Sequence, residues 1–195
     1  YNLAHAYLQR NQFSHSLISA NRALEIYQDS IRKADAARMA GISLMELGRT
    51  DKAKVYLRKS LRFSPENFNT LHNLLEAFFI EGKHSQADSL AKEIFALEPA
   101  NPNVPDELRN VYEKNDSRQR YLQLMRQELE RYNRDDVKGN IYFAVAKAYM
   151  PENMQKAKEN LLMARENFRE SLPKDHYVFD VIDKALRQIE AQEGK

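Results

Sequence analysis

Short runs of apolar residues, spaced three and four apart, alternate along the chain with breaks that hold glycine or proline. Between residues 68 and 101 the first run contains Leu71, Leu74, Leu75 and Phe78, and the second contains Ala87, Leu90, Ala91, Ile94 and Phe95. Steps of three and four place side chains on one face of an α-helix, so each run predicts an amphipathic helix. Gly82 is suited to the left-handed conformation of a C-terminal cap on the first helix. Pro99 is suited to the end of the second helix, because proline cannot continue a helix. The segment therefore predicts two helices joined by a tight turn.

The same pattern occurs once more, 34 residues earlier in the chain. The residues that occupy equivalent positions in the two copies are Gly48 and Gly82, Ala53 and Ala87, Pro65 and Pro99, Leu44 and Phe78, and Leu61 and Phe95. A fixed period of this length is typical of stacked helical repeats, in which each unit buries its apolar face against its neighbours. Residues 34–67 and 68–101 are therefore predicted to be two copies of one helical pair.

This unit resembles the tetratricopeptide repeat, a helix–turn–helix with fixed small, large and proline positions. In residues 34–67 those positions hold Ala37, Ala40, Gly41, Leu44, Ala53, Leu57, Ser60 and Pro65. In residues 68–101 they hold Leu71, Leu74, Leu75, Phe78, Ala87, Ala91, Ile94 and Pro99. The family's opening Trp is absent from both copies, so the resemblance lies in the spacing. It implies an all-α fold, a right-handed superhelical solenoid of antiparallel helix pairs, with residues 1–195 in a single domain.

The neighbouring segments follow the family pattern less closely. The predicted repeats are 1–33, 34–67, 68–101, 102–135 and 136–172, followed by a capping helix over 174–192. The first of these repeats is truncated at its beginning. About one extra helical turn near residues 29–33 lengthens the first repeat. Residues 102–135 lack the small residues, and Asn-Asp-Ser replaces the glycine turn. Met150-Pro151 marks the predicted break between the last pair of helices.

Small residues are expected to set how closely the paired helices approach. Gly41 and Ala53 would let two helices nearly touch, with Leu57 filling the space beside them. In the next copy Leu75 takes the glycine position and Ala91 takes the leucine position. One position gains the volume that the other loses, and cores tolerate such volume-conserving changes best. We therefore interpret this exchange as packing compensation rather than a binding feature.

Composition narrows the classes of protein to which the chain can belong. Apolar residues make up 43% of its 195 residues, enough for a folded core, and only 5 Gly disfavour an all-β fold. The absence of cysteine excludes a disulfide framework, a thiolate zinc site and a cysteine nucleophile. The net charge of +2 lacks the basic excess of a general nucleic-acid binder. No apolar run approaches about 18 residues, so no membrane insertion is expected within this sequence.

The sequence offers no organised set of catalytic residues. No histidine pair has the spacing of a helical zinc site, and no glycine-rich phosphate loop or nucleophile elbow is present. His72 and Glu76 are four residues apart and could form a metal or acid–base pair, but exposed neighbours of this kind are common on helices. We therefore predict no enzyme activity, no cofactor and no metal site.

Lys54, Arg58 and Arg62 form a basic stripe on one predicted helix face. Contact with an acidic partner or with nucleic acid would use such a stripe. The near-neutral total charge and the neighbouring Asp51 favour a solvated helix face instead.

The resemblance also implies a binding surface, because the first helices of tetratricopeptide repeats line a concave groove. The positions that would face it are Arg38, Met39, Ile42 and Met45 in the first copy, and His72, Asn73, Glu76, Phe79 and Ile80 in the second. Several of these side chains are large and apolar, and exposed apolar patches often mark partner sites. The alternative is that they pack between neighbouring repeats.

The favoured function is a non-catalytic scaffold that binds a protein or peptide segment in this groove. The alternative is a regulatory or structural module of a longer sensor, regulator or assembly protein, for which the composition suggests a bacterial source. In that case the activity would lie outside these residues. The sequence opens on Tyr1 without an initiator Met, so we expect it to be a piece of a longer chain.

Overall fold

The part of the chain that the structure describes is built from helices joined by turns. The computed structural model describes residues 2–150 and 152–193, and within them it has eleven α-helices and no strand. The helices are α1 (Asn2–Gln9), α2 (Phe13–Ile26), α3 (Ser30–Glu46), α4 (Thr50–Phe63), α5 (Phe68–Ile80), α6 (His84–Leu97), α7 (Asn103–Lys114), α8 (Arg118–Arg131), α9 (Asp135–Tyr149), α10 (Met154–Ser171) and α11 (Val178–Glu193). Consecutive helices contact each other in the pairs α1/α2, α3/α4, α7/α8 and α9/α10. The predicted all-α fold of paired helices is confirmed.

Contacts group the chain into two compact units, Tyr1–Ile94 and Phe95–Lys195. The first unit holds α1 to α5 and most of α6, and the second holds the end of α6 and α7 to α11. A single domain over residues 1–195 therefore stays a prediction.

The turns between paired helices use the left-handed backbone conformation that the glycine positions predicted. Gly48 has a φ of 70° and Gly82 a φ of 67°. Asn11, with a φ of 56°, and Asp116, with a φ of 51°, take the same conformation in turns that lack glycine. Asn and Asp tolerate this region because their short polar side chains can hydrogen-bond locally. The turn geometry is therefore kept where the glycine is lost, including in residues 102–135.

Side-chain caps set the beginnings of two helices in the first unit. Asn67 accepts a hydrogen bond from the N–H of Thr70 at 2.9 Å, as expected for an N-cap of α5. Asp29 accepts one from the N–H of Arg32 at 2.8 Å and begins α3 in the same way. Because α3 has 17 residues against 13 in α5, the extra turn predicted near residues 29–33 lies at the beginning of α3.

Two connections in the second unit differ in detail from the sequence expectation. A hydrogen bond from the N–H of His176 to the carbonyl of Pro173, at 3.0 Å, closes a turn before α11. The helix consequently begins at Val178, a few residues after the predicted start. At the predicted break after α9, the helix ends at Tyr149, and Pro151 lies outside the described residues.

Gly41 lets α3 lie directly against α4. A Cβ atom on Gly41 would stand 2.7 Å from Cδ2 of Leu57 and 3.4 Å from the carbonyl oxygen of Ala53, and both of these residues are fully buried. The predicted close approach is therefore confirmed. Leu75 and Ala91 are also fully buried, which agrees with an exchange of volume between the two positions.

Replacing Gly41 with alanine is expected to lower the free energy of unfolding by about 1–3 kcal/mol, because the added methyl group has no room beside Leu57. Chemical denaturation measures this loss. In a Leu57→Ala background the same change should stabilise the chain, since alanine is favoured over glycine inside a helix by about 1 kcal/mol. An equal loss in both backgrounds would contradict this packing explanation.

Larger side chains fill the helix contacts of the second unit. Tyr112 on α7 and Tyr121 on α8 are fully buried, with ring centroids 6.0 Å apart. The Tyr121 hydroxyl donates to the carbonyl of Pro105 at 2.9 Å, and burial raises its pKa well above the usual tyrosine value. Between α9 and α10, a Cβ atom on Gly139 would stand 2.5 Å from the ring of Phe168. Glycine is therefore used a second time for close helix contact, at a position that the repeat pattern did not indicate.

The last helix shares one core with the pair before it. Its buried face consists of Val178, Ile182, Leu186 and Ile189, which pack in a single cluster with side chains of α9 and α10. Polar residues on the other face, among them Asp180, Lys184 and Arg187, are exposed. This arrangement covers the apolar surface of α9 and α10 with a helix whose outer face is polar.

Candidate functional site

The helices α3 and α5 each carry one stripe of incompletely buried residues. On α3 the stripe is Asp35, Arg38, Ile42 and Met45, and on α5 it is Asn69, His72, Asn73, Glu76 and Ile80. Spacings of three and four place these residues on one face of each helix, while most of the other residues are buried. The two helices contact each other, so the two stripes lie on neighbouring elements. We call these nine residues the first-helix stripe.

Two of the predicted binding residues are core residues instead. Met39 is 2% exposed and packs in a cluster with alanines of α1, α2 and α3. Phe79 is 5% exposed, and its ring centroid lies 5.7 Å from that of His84. Met39 follows Arg38 and Phe79 precedes Ile80, and one residue along a helix turns the side chain by about 100°. For these two residues the structure favours the alternative stated above, packing rather than an exposed contact surface.

The stripe carries polar groups that can form hydrogen bonds with a partner. One guanidinium nitrogen of Arg38 lies 3.4 Å from the carboxylate of Asp35. The Nε of Arg38 and the Oδ1 of Asn73 are buried and hydrogen-bond to no other atom of the described residues. Buried polar atoms are usually paired, so these two atoms are exceptions to the usual pattern.

A buried ion pair joins α4 to the end of α5. The Lys54 ammonium donates a hydrogen bond to the Glu81 carboxylate, and the two side chains are 8% and 14% exposed. Asp51 lies 3.2 Å from the ammonium, and the ammonium of Lys83 lies 2.8 Å from the Glu81 carboxylate. Burial alone disfavours both charged forms, but these hydrogen bonds and charges outweigh it. The pKa of Lys54 is therefore raised and the pKa of Glu81 is lowered.

This ion pair changes the interpretation of the basic stripe on α4. Arg58 and Arg62 are exposed, in agreement with a solvated helix face. Lys54 is buried and paired across to the next helix pair, so it belongs to the packing of the first unit.

The second unit has a cavity at the corresponding positions of its own first helices. In each repeat, the equivalent position lies two residues before a buried apolar residue of the first helix. The equivalent positions are Arg38, His72, Asp106 and Phe143, and the buried residues that follow them are Ala40, Leu74, Leu108 and Val145. Asp106 on α7 and Phe143 on α9 line a cavity of about 250 Å³. The remaining lining residues are Pro102, Asn103, Asn140, Ala144, Lys147, Phe168, Tyr177, Val178 and Val181. The sequence analysis assigned no binding role to any of them.

Comparison with known proteins identifies the repeat. The family model of the tetratricopeptide repeat matches residues 39–67, which cover the last part of α3, all of α4 and the turn after it. The chain carries a tetratricopeptide repeat. No curated protein matches the sequence.

Solved structures show that the tetratricopeptide-repeat fold extends over most of the chain. A tetratricopeptide repeat protein from Parabacteroides merdae is 13% identical and superposes with a TM-score of 0.54, covering 97% of this chain and 69% of that one. MamA from Desulfovibrio magneticus RS-1, residues 41 to the end, is 14% identical with a TM-score of 0.51, covering 88% and 94%. A double mutant of MamA from RS-1 is 15% identical with the same TM-score, covering 87% and 92%. At these identities the likeness concerns the fold alone.

The tetratricopeptide-repeat fold brings together few groups suited to other chemistry. In the described ranges, no three His, Asp or Glu side chains meet in a way that could hold a metal ion. His72 and Glu76 both lie on the first-helix stripe, where they can take part in polar contacts with a partner. Among the helices described, none is both long and apolar enough to cross a membrane.

The features that sequence reasoning missed depend on residues far apart in the chain. Lys54 and Glu81 are separated by 27 residues, and neither the helical period nor local charge spacing indicates that they meet. The lining of the cavity comes from α7, α9, α10 and α11, and no local pattern in the sequence indicates that these helices form a cavity together.

Proposed function

We propose that the chain is a non-catalytic scaffold that binds an extended protein segment along the first-helix stripe of the first unit. One observation carries the proposal: apolar side chains of two neighbouring helices remain at least partly exposed on this stripe. Ile80 is 53% exposed, and Ile42 and Met45 are half-buried on the neighbouring helix. Apolar side chains grouped in this way supply contact area for a partner.

The chemistry of the stripe suits a peptide of mixed character. Apolar contacts from Ile42, Met45 and Ile80 would provide most of the affinity. Arg38 and Asn73 would provide hydrogen bonds to a backbone, which an extended segment offers at every residue. Asp35 and Glu76 place negative charge on the same surface as Arg38, so the stripe does not favour a polyanion such as nucleic acid. A regulatory or structural role within a longer protein would use the same surface.

Peptide binding at the stripe is tested by replacing Ile80 with aspartate. A fluorescein-labelled peptide, selected by random peptide display on the intact chain, provides the probe, and fluorescence polarisation gives its Kd. We expect Ile80→Asp to raise the Kd at least tenfold, because it places a charge where apolar contact is needed. The matched control is Val55→Asp, at an apolar residue of α4 that is 63% exposed, and it should change the Kd less than twofold.

Thermal melting of both variants should match that of the unchanged chain, since both positions are exposed. If Ile80→Asp binds the probe as well as Val55→Asp does, the stripe is not the binding surface.

A further inference from the structure

The second unit places its cavity at positions equivalent to those of the first-helix stripe. We infer that this cavity accepts one large apolar side chain of a partner segment, an inference that rests on the proposed function. Its lining includes Asn103 and Asp106 of α7, Phe143 and Lys147 of α9, and Val178 and Val181 of α11. Its volume of about 250 Å³ is below the roughly 300–1,000 Å³ of small-molecule pockets, which suits a single side chain rather than a whole ligand.

The walls of the cavity combine apolar and polar groups, and one of the apolar residues is unusually exposed. Phe143, Ala144, Phe168 and Val178 form apolar parts of the lining. Val181 completes it and is 43% exposed, although the apolar residues on either side of it along α11 are buried in the shared core. Since the core does not use Val181, its apolar surface is available to a partner.

The charged residues of the lining neutralise each other. The Lys147 ammonium lies 3.0 Å from the Asp106 carboxylate and 4.9 Å from the centre of the Phe143 ring. Arg109 also donates to the Asp106 carboxylate, at 3.1 Å, and its own charge is balanced by a second hydrogen bond, to the Glu113 carboxylate. An ionic side chain entering the cavity would lose water without gaining an opposite charge, which is costly. This charge balance selects a neutral apolar side chain.

Polar groups at the rim suit the backbone that would carry this side chain. Asn103 is exposed, and Tyr177 is 67% exposed, so both can reach the peptide groups of an extended segment. The amide of Asn140 already donates to the carbonyl of Ala100 at 2.9 Å, so it shapes the wall instead. Apolar side chains with hydrogen-bonding groups beside them are common where a protein interface receives an anchoring side chain.

The test combines a change in the cavity with a change in the probe. Peptides selected by random display on the intact chain are synthesised, and each Phe, Tyr, Leu, Ile or Met is replaced in turn by Ala. We expect one replacement to raise the Kd at least tenfold with the unchanged chain. The Val181→Asp variant should bind the parent peptide with a Kd that is already at least tenfold higher. Replacing the same peptide residue by Ala should then change the Kd for this variant less than twofold.

A second variant separates apolar contact from charge. Val181→Lys should weaken binding as much as Val181→Asp, because both remove the apolar wall. Opposite effects of the two variants would show that charge is recognised and would overturn the inference. Val55→Asp serves again as the control and should leave the Kd within twofold.

The remaining outcomes distinguish this inference from the proposed function. If the Val181 variants leave the Kd unchanged while Ile80→Asp raises it, the cavity inference is wrong and the proposed function stands. If neither position affects binding, or if display yields no peptide that binds the chain, both are wrong.

Discussion

Replacing Lys54 with methionine is expected to lower the free energy of unfolding by about 3 kcal/mol. The substitution removes the ammonium that pairs with Glu81 and leaves a carboxylate that is only 14% exposed. Breaking one side of a buried pair typically costs about 3–5 kcal/mol, because the remaining charge keeps its desolvation penalty. The lower end applies here, since Lys83 still lies 2.8 Å from the Glu81 carboxylate. Urea denaturation at neutral pH measures the loss.

The stability that the pair contributes should also depend on pH. Because the pKa of Glu81 is lowered by folding, its contribution is complete above the usual glutamate pKa and is lost as the pH falls through the folded value. Because the pKa of Lys54 is raised, its contribution is lost only as the pH rises through the folded value above that of an ordinary lysine. The difference between the unchanged chain and Lys54→Met should therefore be constant between about pH 5 and pH 10 and shrink outside that window.

Two variants serve as controls for the ion pair. Lys52→Met, at an exposed lysine of the same helix, should cost less than about 0.5 kcal/mol. Lys54→Met combined with Glu81→Leu should recover most of the loss, because apolar residues of similar volume replace buried ion pairs well. If the double variant is as unstable as the single one, the loss does not come from an unpaired carboxylate.

Replacing Phe79 with alanine is expected to cost about 3–5 kcal/mol of unfolding free energy, because the ring is 5% exposed and its removal leaves a cavity in the core. The next residue is the matched comparison. Ile80 is 53% exposed, so Ile80→Ala should cost less than about 1 kcal/mol. Denaturation of the two variants under the same conditions gives both values. Similar losses for the two would mean that Phe79 is not a packing residue in solution.

Much of the repeat could be predicted from sequence because it depends on short-range rules. Gly48 and Gly82 were expected in the left-handed turns, and both adopt positive φ angles. Asn67 is a favoured N-cap residue type, and its side chain accepts the hydrogen bond that a cap of α5 requires. Gly41 was expected to lie against Leu57, and the two are in contact. In each case a residue's size or backbone preference decides the geometry within one helical pair.

The candidate site was predicted less completely. The resemblance to the tetratricopeptide repeat placed Arg38, Ile42, His72 and Ile80 on the groove side of their helices, and all four are at least partly exposed. It could not show that Met39 and Phe79 are covered, because a helix in a stacked repeat has neighbours on more than one side. Apolar residues at the edge of its solvent-facing stripe are therefore buried or exposed according to how those neighbours are placed.

The sequence by itself determined the all-helical class, the period of the repeat, the turn positions and the helix faces that carry apolar residues. These follow from backbone preferences and from the spacing of side chains along a helix, which act over a few residues. Only the tertiary structure decided that Lys54 is paired with Glu81 across 27 residues and that α7, α9 and α11 enclose a cavity beside Val181. Such features depend on distances between side chains on different helices, and those distances are set by the packing of the whole core rather than by any local pattern.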